Sequence, residues 1–137
     1  MNITILRPFS GYGTDQSLDY PFPSFIKRGR EKEAPFNVWG KGTQVRDFIH
    51  IEDVVRATFE AITNDVTVAN LCTGRATSFI ELAELVMMQA GYLAEIRTNP
   101  TAPVGVAYRV GDTRKMLSFY EPRISLEEGI DRALKGI

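Results

Sequence analysis

The densest chemistry in this sequence lies at residues 38–54, reading VWGKGTQVRDFIHIEDV. The stretch holds the single Trp (Trp39), the single His (His50) and a Gly-x-Gly turn at Gly40 and Gly42. After the turn, a strand pattern carries one arginine, Arg46, beside Val45, Asp47, Phe48 and Ile49. A guanidinium held on a strand inside an apolar run is a gripping group, because its planar fork matches phosphate or carboxylate oxygens. A helix opens at once, with Glu52 and Asp53 at the positive end of its dipole. Asp53 reads as a helix-start residue rather than a catalyst. His50 reads as a packed side chain bonded to nearby backbone. With one His and one Cys, Cys72, a zinc site or a Cys–His nucleophile pair has little material. The residues therefore point to binding, with no catalytic set and no metal ligands.

These groups need elements to hold them. Ile3, Thr4, Ile5 and Leu6 predict a short buried strand over residues 2–6. It opens almost at Met1, and natural domains seldom begin in a core strand, so further chain upstream is expected. Residues 7–13 form a loop rich in glycine and aromatics, either a plain strand-to-helix turn or a ligand loop at a strand's C-terminal end. A helix is expected over 24–32, its charged end 27–33 forming a solvated face of mixed sign. Strands 36–39 and 44–49 are expected to form a hairpin through Gly40-Lys41-Gly42. The helix over 52–63 is expected to bury Ile51, Val54, Val55, Phe59 and Ile62. A strand over 66–72 follows, and Ser78 with Glu81 forms a capping-box signature. The next helix presents Phe79, Leu82, Ala83, Val86 and Ala90, and Gly91 ends it. Strand 94–98, extended 104–110 and a short helix capped by Asp112 come next. Ser125 and Glu128 then open a final helix facing inward through Leu126, Ile130, Ala133 and Leu134. The class is α/β, a small mixed sheet with packed helices.

At 137 residues the chain is expected to be one domain, 1–137. Its 44% apolar and 24% charged content are those of a soluble globular protein. A net charge of −1 gives no reason to expect nucleic acid or an anionic membrane as partner. The start lacks the basic region of a signal peptide, and no apolar run approaches the ~20 residues of a membrane span. A lone cysteine cannot close an internal disulfide, which implies a reducing, cytoplasmic setting.

Leu6-Arg7-Pro8-Phe9-Ser10-Gly11-Tyr12-Gly13 is similar to an Arg-x-x-Asn-x-Tyr-Gly-Pro loop. Residues 40–53 match G-x-G-x-x-x-R-D-F-I-H-x-x-D closely, and Asn70 to Gly74 with Ser78 and Glu81 match N-x-x-x-G…S-x-x-E. Asp112, Lys115, Pro122, Ser125 and Gly129 fit a closing D-x-x-K…P-x-x-S-L-E-E-G pattern. Together these stretches resemble the C-terminal, substrate-binding half of an extended short-chain dehydrogenase/reductase, of the NAD-dependent epimerase/dehydratase type that acts on nucleotide-diphosphate sugars. The resemblance makes Arg46 the diphosphate grip, runs Asn37, Val38 and Trp39 past the nucleotide base, and sets Gln44 in the same pocket. Ser10 stands where the family carries an Asn, with shorter reach, and Thr14 replaces the Pro. The family's second phosphate arginine lies in an R-P-G-D stretch that reads Ala102-Pro103-Val104-Gly105 here; Arg109 is the candidate substitute.

Two family features are absent. No G-x-x-G-x-x-G fingerprint occurs, and the five tyrosines are followed four residues later by Gln16, Ser24, Ile96, Asp112 and Ile124, never by the lysine of Tyr-x-x-x-Lys. The resemblance therefore implies a half that binds the sugar nucleotide and lacks the Rossmann N-terminal half holding NAD or NADP. Three readings follow: a truncated or split enzyme inactive alone, a free-standing module that self-associates, or a piece of a longer gene product. The first strand, left without parallel neighbours, predicts a homodimer or higher oligomer.

Overall fold

The computed structural model describes residues 2–137; Met1, which precedes the expected opening strand, lies outside them. The chain runs β1 (Ile5–Pro8), β2 (Ser10–Tyr12), α1 (Pro21–Arg30), β3 (Phe36–Trp39), β4 (Val45–Arg46) and β5 (Phe48–His50). It continues through α2 (Ile51–Thr63), β6 (Val68–Leu71), β7 (Thr77–Ser78) and α3 (Phe79–Gln89). It closes with β8 (Ile96–Asn99), β9 (Tyr108–Arg109), α4 (Arg114–Leu117) and α5 (Leu126–Lys135). Three pairs are parallel: β1 with β6, β2 with β5, and β3 with β8. The fourth sheet is mixed, with β4 between antiparallel β7 and parallel β9. The expected α/β class with a small mixed sheet is what forms.

Helices α1, α3 and α5 pack on one another around Phe22, Phe36, Phe48, Phe79, Leu82 and Ile130. Gly129 makes the seat of α5 possible, because a Cβ there would run into the ring of Tyr12. A second cluster joins Ile49, Ala57, Leu71, Met116 and Tyr120 under α2 and α4. Both serine caps form: Ser78 accepts from the Glu81 N–H and Ser125 from the Glu128 N–H, each at 3.1 Å. Asp112 accepts from the Arg114 N–H at 3.0 Å, one turn-start from the expected place, since Thr113 holds the N-cap position.

Several boundaries differ from the sequence reading, each for a physical reason. The opening strand is displaced to Ile5–Pro8, and part of the expected loop pairs as β2. Helix α1 starts at Pro21, since proline is tolerated in a first helical turn where its missing N–H is no loss. The expected hairpin does not form. Gly40 and Gly42 do turn the chain with φ of 71° and 74°, yet β3 leaves to pair with β8 across the α3 crossover. The expected strand 44–49 breaks at Asp47, whose carboxylate turns inward and separates β4 from β5.

Helix α2 shows the largest correction. Of the face expected to be buried, Val54 is half-buried, while Ile51, Val55, Phe59 and Ile62 are exposed, Phe59 at 68%. The inward face is Asp53, Ala57 and Ala61, small enough to let the helix lie close to β5 and β6. Asp53 is more than a helix-start residue. It is fully buried and accepts from the Tyr120 hydroxyl at 2.6 Å and from the Arg123 and Ile124 N–H groups at 3.0 Å. Burial and this carboxylate push the Tyr120 phenol up to about 12.

His50 is buried at the N-terminus of α2, as expected of a packed residue, and its Nδ1 accepts from the Glu52 N–H at 3.2 Å. Burial lowers its pKa below the ordinary histidine value; Glu52, Asp53 and Glu128 oppose that shift, while Arg132 adds to it. The unfolded chain thus binds this proton more readily, and stability present above about pH 6.5 is lost as pH falls below it. Protonation also turns the capping acceptor into a donor. His50→Asn keeps a cap without the titration. Denaturation midpoints between pH 7 and 5 should therefore fall more steeply for the wild type, by about 1 kcal/mol. Equal slopes would contradict this.

Candidate functional site

Strand β4 is only two residues long, and its register decides what faces what. Arg46 lies opposite Arg109 of parallel β9 and Thr77 of antiparallel β7. Cross-strand partners share a face of the sheet, so the two arginines project together. The buried Asp47 holds this junction. Its Oδ1 accepts from the Thr73 N–H at 2.8 Å and the Thr73 hydroxyl at 2.6 Å. Its Oδ2 accepts from the Gly74 N–H at 2.9 Å and the Gly111 N–H at 3.1 Å. One side chain thereby ties β4 to the ends of β6 and β9.

Arg46 donates to its neighbour's carbonyl, Val45, at 2.8 Å, and its guanidinium lies 5.5 Å from the centroid of the Phe79 ring. Arg109 donates to the Ser10 hydroxyl at 3.1 Å. Neither arginine pairs with a carboxylate among the described residues. Burial, and then the charge of Arg109, lower the Arg46 pKa below that of a free guanidinium. Two cations that destabilise each other in the same place form a site for an anion.

Both arginines open into a cavity of about 530 Å³. Tyr20 and the half-exposed Trp39 stand on its wall, Gln44 lies in it, and residues 103–105 close one side. Of the residues assigned from the sequence, the structure brings Arg46, Gln44, Trp39 and Arg109 to this cavity and sets Ser10 behind Arg109. It does not bring the Val38 and Asn37 side chains there. Val38 is wholly buried in the core, and the Asn37 amide donates to Glu33 at 2.8 Å and to the Pro35 carbonyl at 3.3 Å.

Arg28 also lines the cavity, although its sequence neighbourhood reads as a solvated charged face. It donates to the Asn37 carbonyl at 2.5 Å and packs 5.4 Å from the Phe25 ring centroid. The one signal for it in the sequence is its spacing of three from Phe25, which places both on one side of α1. Asp19 is the single acid in the lining, and it accepts from the Ser17 hydroxyl at 2.8 Å.

A second cavity of about 390 Å³, between residues 13–16 and α1, is lined by Lys27 and Arg30. Its cations are committed: Lys27 lies 3.9 Å from Glu31, and Arg30 donates to the Leu134 carbonyl at 3.1 Å and to that of Ala133. The first cavity is therefore the better anion site. Its lining includes neither His50 nor Cys72, whose thiol is buried and pushed up to about 11 by that burial and by Asp47 and Asp112. No group of three or more metal-ligating side chains occurs among the described residues. Nor is any described helix long and apolar enough to cross a membrane.

Comparison with known proteins places the chain in a family. Residues 1–72 match the sequence model of the NAD dependent epimerase/dehydratase family. The chain is 34% identical over 137 residues to a dTDP-4-dehydro-6-deoxy-D-allose reductase of Streptomyces bikiniensis, covering 93% of this chain and 42% of that protein. It superposes on a UDP-glucuronic acid 4-epimerase from Bacillus cereus, solved with UDP-glucuronic acid and NAD, at a TM-score of 0.85 and 27% identity. That match covers 99% of this chain and 45% of the other. A UDP-glucose 4-epimerase from Thermotoga maritima, solved with UDP-glucose, gives a TM-score of 0.81 and 31% identity over 97% of this chain and 45% of that one. The chain thus spans less than half the length of these relatives, and it belongs to the NAD dependent epimerase/dehydratase family.

Proposed function

We propose that this chain is the nucleotide-diphosphate-sugar-binding part of an epimerase/dehydratase-type enzyme and is inactive by itself. The observation that carries this reading is the pair Arg46 and Arg109, set side by side in one concavity and neither ion-paired with a carboxylate among the described residues. A diphosphate supplies the missing charge and accepts both forks. Trp39 offers a flat apolar surface to a nucleobase, and Ser10 orients Arg109. Two of the similar structures, by their own descriptions, hold UDP-glucuronic acid and UDP-glucose, ligands of this kind.

In the same reading the chain has no NAD site of its own. The backbone N–H groups of Thr73 and Gly74, at the end of β6 where a phosphate nest could form, are taken by Asp47. We therefore assign the chain no hydride or proton-transfer step, and we place it in the cytoplasm on the strength of its one buried thiol. In a thermal-shift assay, UDP- or GDP-sugars should stabilise the chain, by about 2.7 kcal/mol at a hundredfold excess over Kd, and NAD should not. Arg46→Ala should abolish the shift and leave the unliganded melting temperature nearly unchanged. Absence of a shift with every sugar nucleotide would refute the reading.

A specific observation also favours self-association as a second reading. Ile51, Val55, Phe59 and Ile62 form an exposed apolar stripe along α2, and β1 pairs only with β6 among the described residues. On this reading a second copy of the chain covers both features, as a cofactor-binding half would. Light scattering at micromolar concentration should give the mass of a dimer or larger, and Phe59→Glu should lower it. A monomeric wild type would count against self-association.

A further inference from the structure

An arginine that grips an anion must be held in place and yet kept available. A loose side chain loses rotamer freedom when it binds, which weakens the grip. A carboxylate would hold the guanidinium, but it would also neutralise the charge and occupy the fork. Arg46 has no such partner among the described residues, and its hydrogen bond there runs from Nη1 to the Val45 carbonyl at 2.8 Å. What else stands against it is the Phe79 ring, whose centroid lies 5.5 Å from Arg46 Cζ. An aromatic face attracts a cation and carries no acceptor atom. It therefore restrains the guanidinium while leaving the charge and the remaining N–H donors open.

The ring is itself fixed. Phe79 opens α3 directly after the Ser78 cap, its N–H donates to the Gln44 carbonyl at 3.1 Å, and its side chain is buried. It meets the Phe25 ring with centroids 5.9 Å apart at 63°, and Phe25 in turn carries Arg28 at 5.4 Å. All four residues line one cavity. The two arginines on this aromatic row differ. Arg28 is committed inside the protein, donating to the Asn37 carbonyl at 2.5 Å and lying 3.9 Å from Glu33. Arg46 has only its own neighbour's carbonyl. Arg109 leans on the Ser10 hydroxyl and on no ring among the described residues. Resting on the nucleotide-binding reading above, we propose that Phe79 is a positioning residue, whose ring keeps the Arg46 guanidinium ordered and open to the cavity before a ligand arrives.

Nitrogen-15 relaxation of the arginine side chains tests this on the full 137-residue chain without ligand, and titration with UDP reads the consequence. In the free wild type the Arg46 Nε–H should show an order parameter above ~0.6. A freely tumbling Arg46 overturns the proposal. Phe79→Leu keeps an apolar side chain in the core and removes the ring. It should loosen Arg46, leave the Arg109 signal unchanged and weaken UDP binding about fivefold. Phe79→Tyr keeps the ring and should restore both the order and the affinity. Weaker binding with Arg46 still ordered, or with both arginines loosened together, would make Phe79 a support of the β7–β4–β9 sheet and overturns the proposal. So does a leucine variant that loosens Arg46 yet binds UDP as the wild type does. The wild-type relaxation decides if Phe79→Leu fails to fold. Failure of UDP to bind the wild type would refute the nucleotide reading, a separate result, because the order of Arg46 is measured with no ligand present.

Discussion

One buried carboxylate organises this molecule. Asp47 sits at the break between β4 and β5 and gathers three backbone N–H groups and one hydroxyl from two distant segments. A charge taken out of water survives only when its lone pairs are met, and here four donors meet them. Each donor comes from the end of a strand or from the turn after it. By closing around Asp47 they bring β9 alongside β4 in the register that sets Arg109 opposite Arg46. The guanidinium pair is thus a consequence of the clamp beside it. Asp53, in the first turn of α2, repeats the device and ties that helix to residues 120–124.

The cost of the pair is electrostatic. Partial burial strips hydration from the Arg46 guanidinium, and the like charge of Arg109 on the neighbouring strand adds repulsion, which is why the Arg46 pKa is lowered. Phe79 offsets part of this by presenting its ring to the Arg46 guanidinium, a contact of ~0.5–1 kcal/mol when exposed. The remainder is held by the fold. A dianionic ligand removes the repulsion, so the strain of the free protein becomes affinity for that ligand. Arg28 adds a third cation to the same wall, and Asp19 alone keeps the lining from being uniformly cationic.

How much of this the sequence discloses depends on the kind of physics involved. Local patterns are legible: the serine caps, the glycine turn, the strand arginine and the α/β alternation all form as read. Long-range pairing is not. Nothing in residues 44–49 says that β4 takes β7 and β9 as neighbours, and so the hairpin expectation fails. The sequence offers Arg109 as a candidate, but only the β4–β9 register gives its place beside Arg46. The charge on Arg28 looks the same in sequence whether it faces solvent or a cavity. The α2 stripe shows a related limit. Periodicity tells which residues share a face, here Ile51, Val55, Phe59 and Ile62, but not which surface covers it. Likewise Asp47 and Asp53 are written as ordinary carboxylates, and only packing shows that both are interior ties.

The central claim is that Arg46 and Arg109 act together on one diphosphate. Its most direct measurement is an NMR titration that follows the side-chain Nε–H signals of both arginines as UDP is added at about 0.1 M salt, where exposed charges are screened beyond ~10 Å. The account predicts that both signals move together along one binding isotherm. Saturation by UDP with either signal unmoved would contradict it.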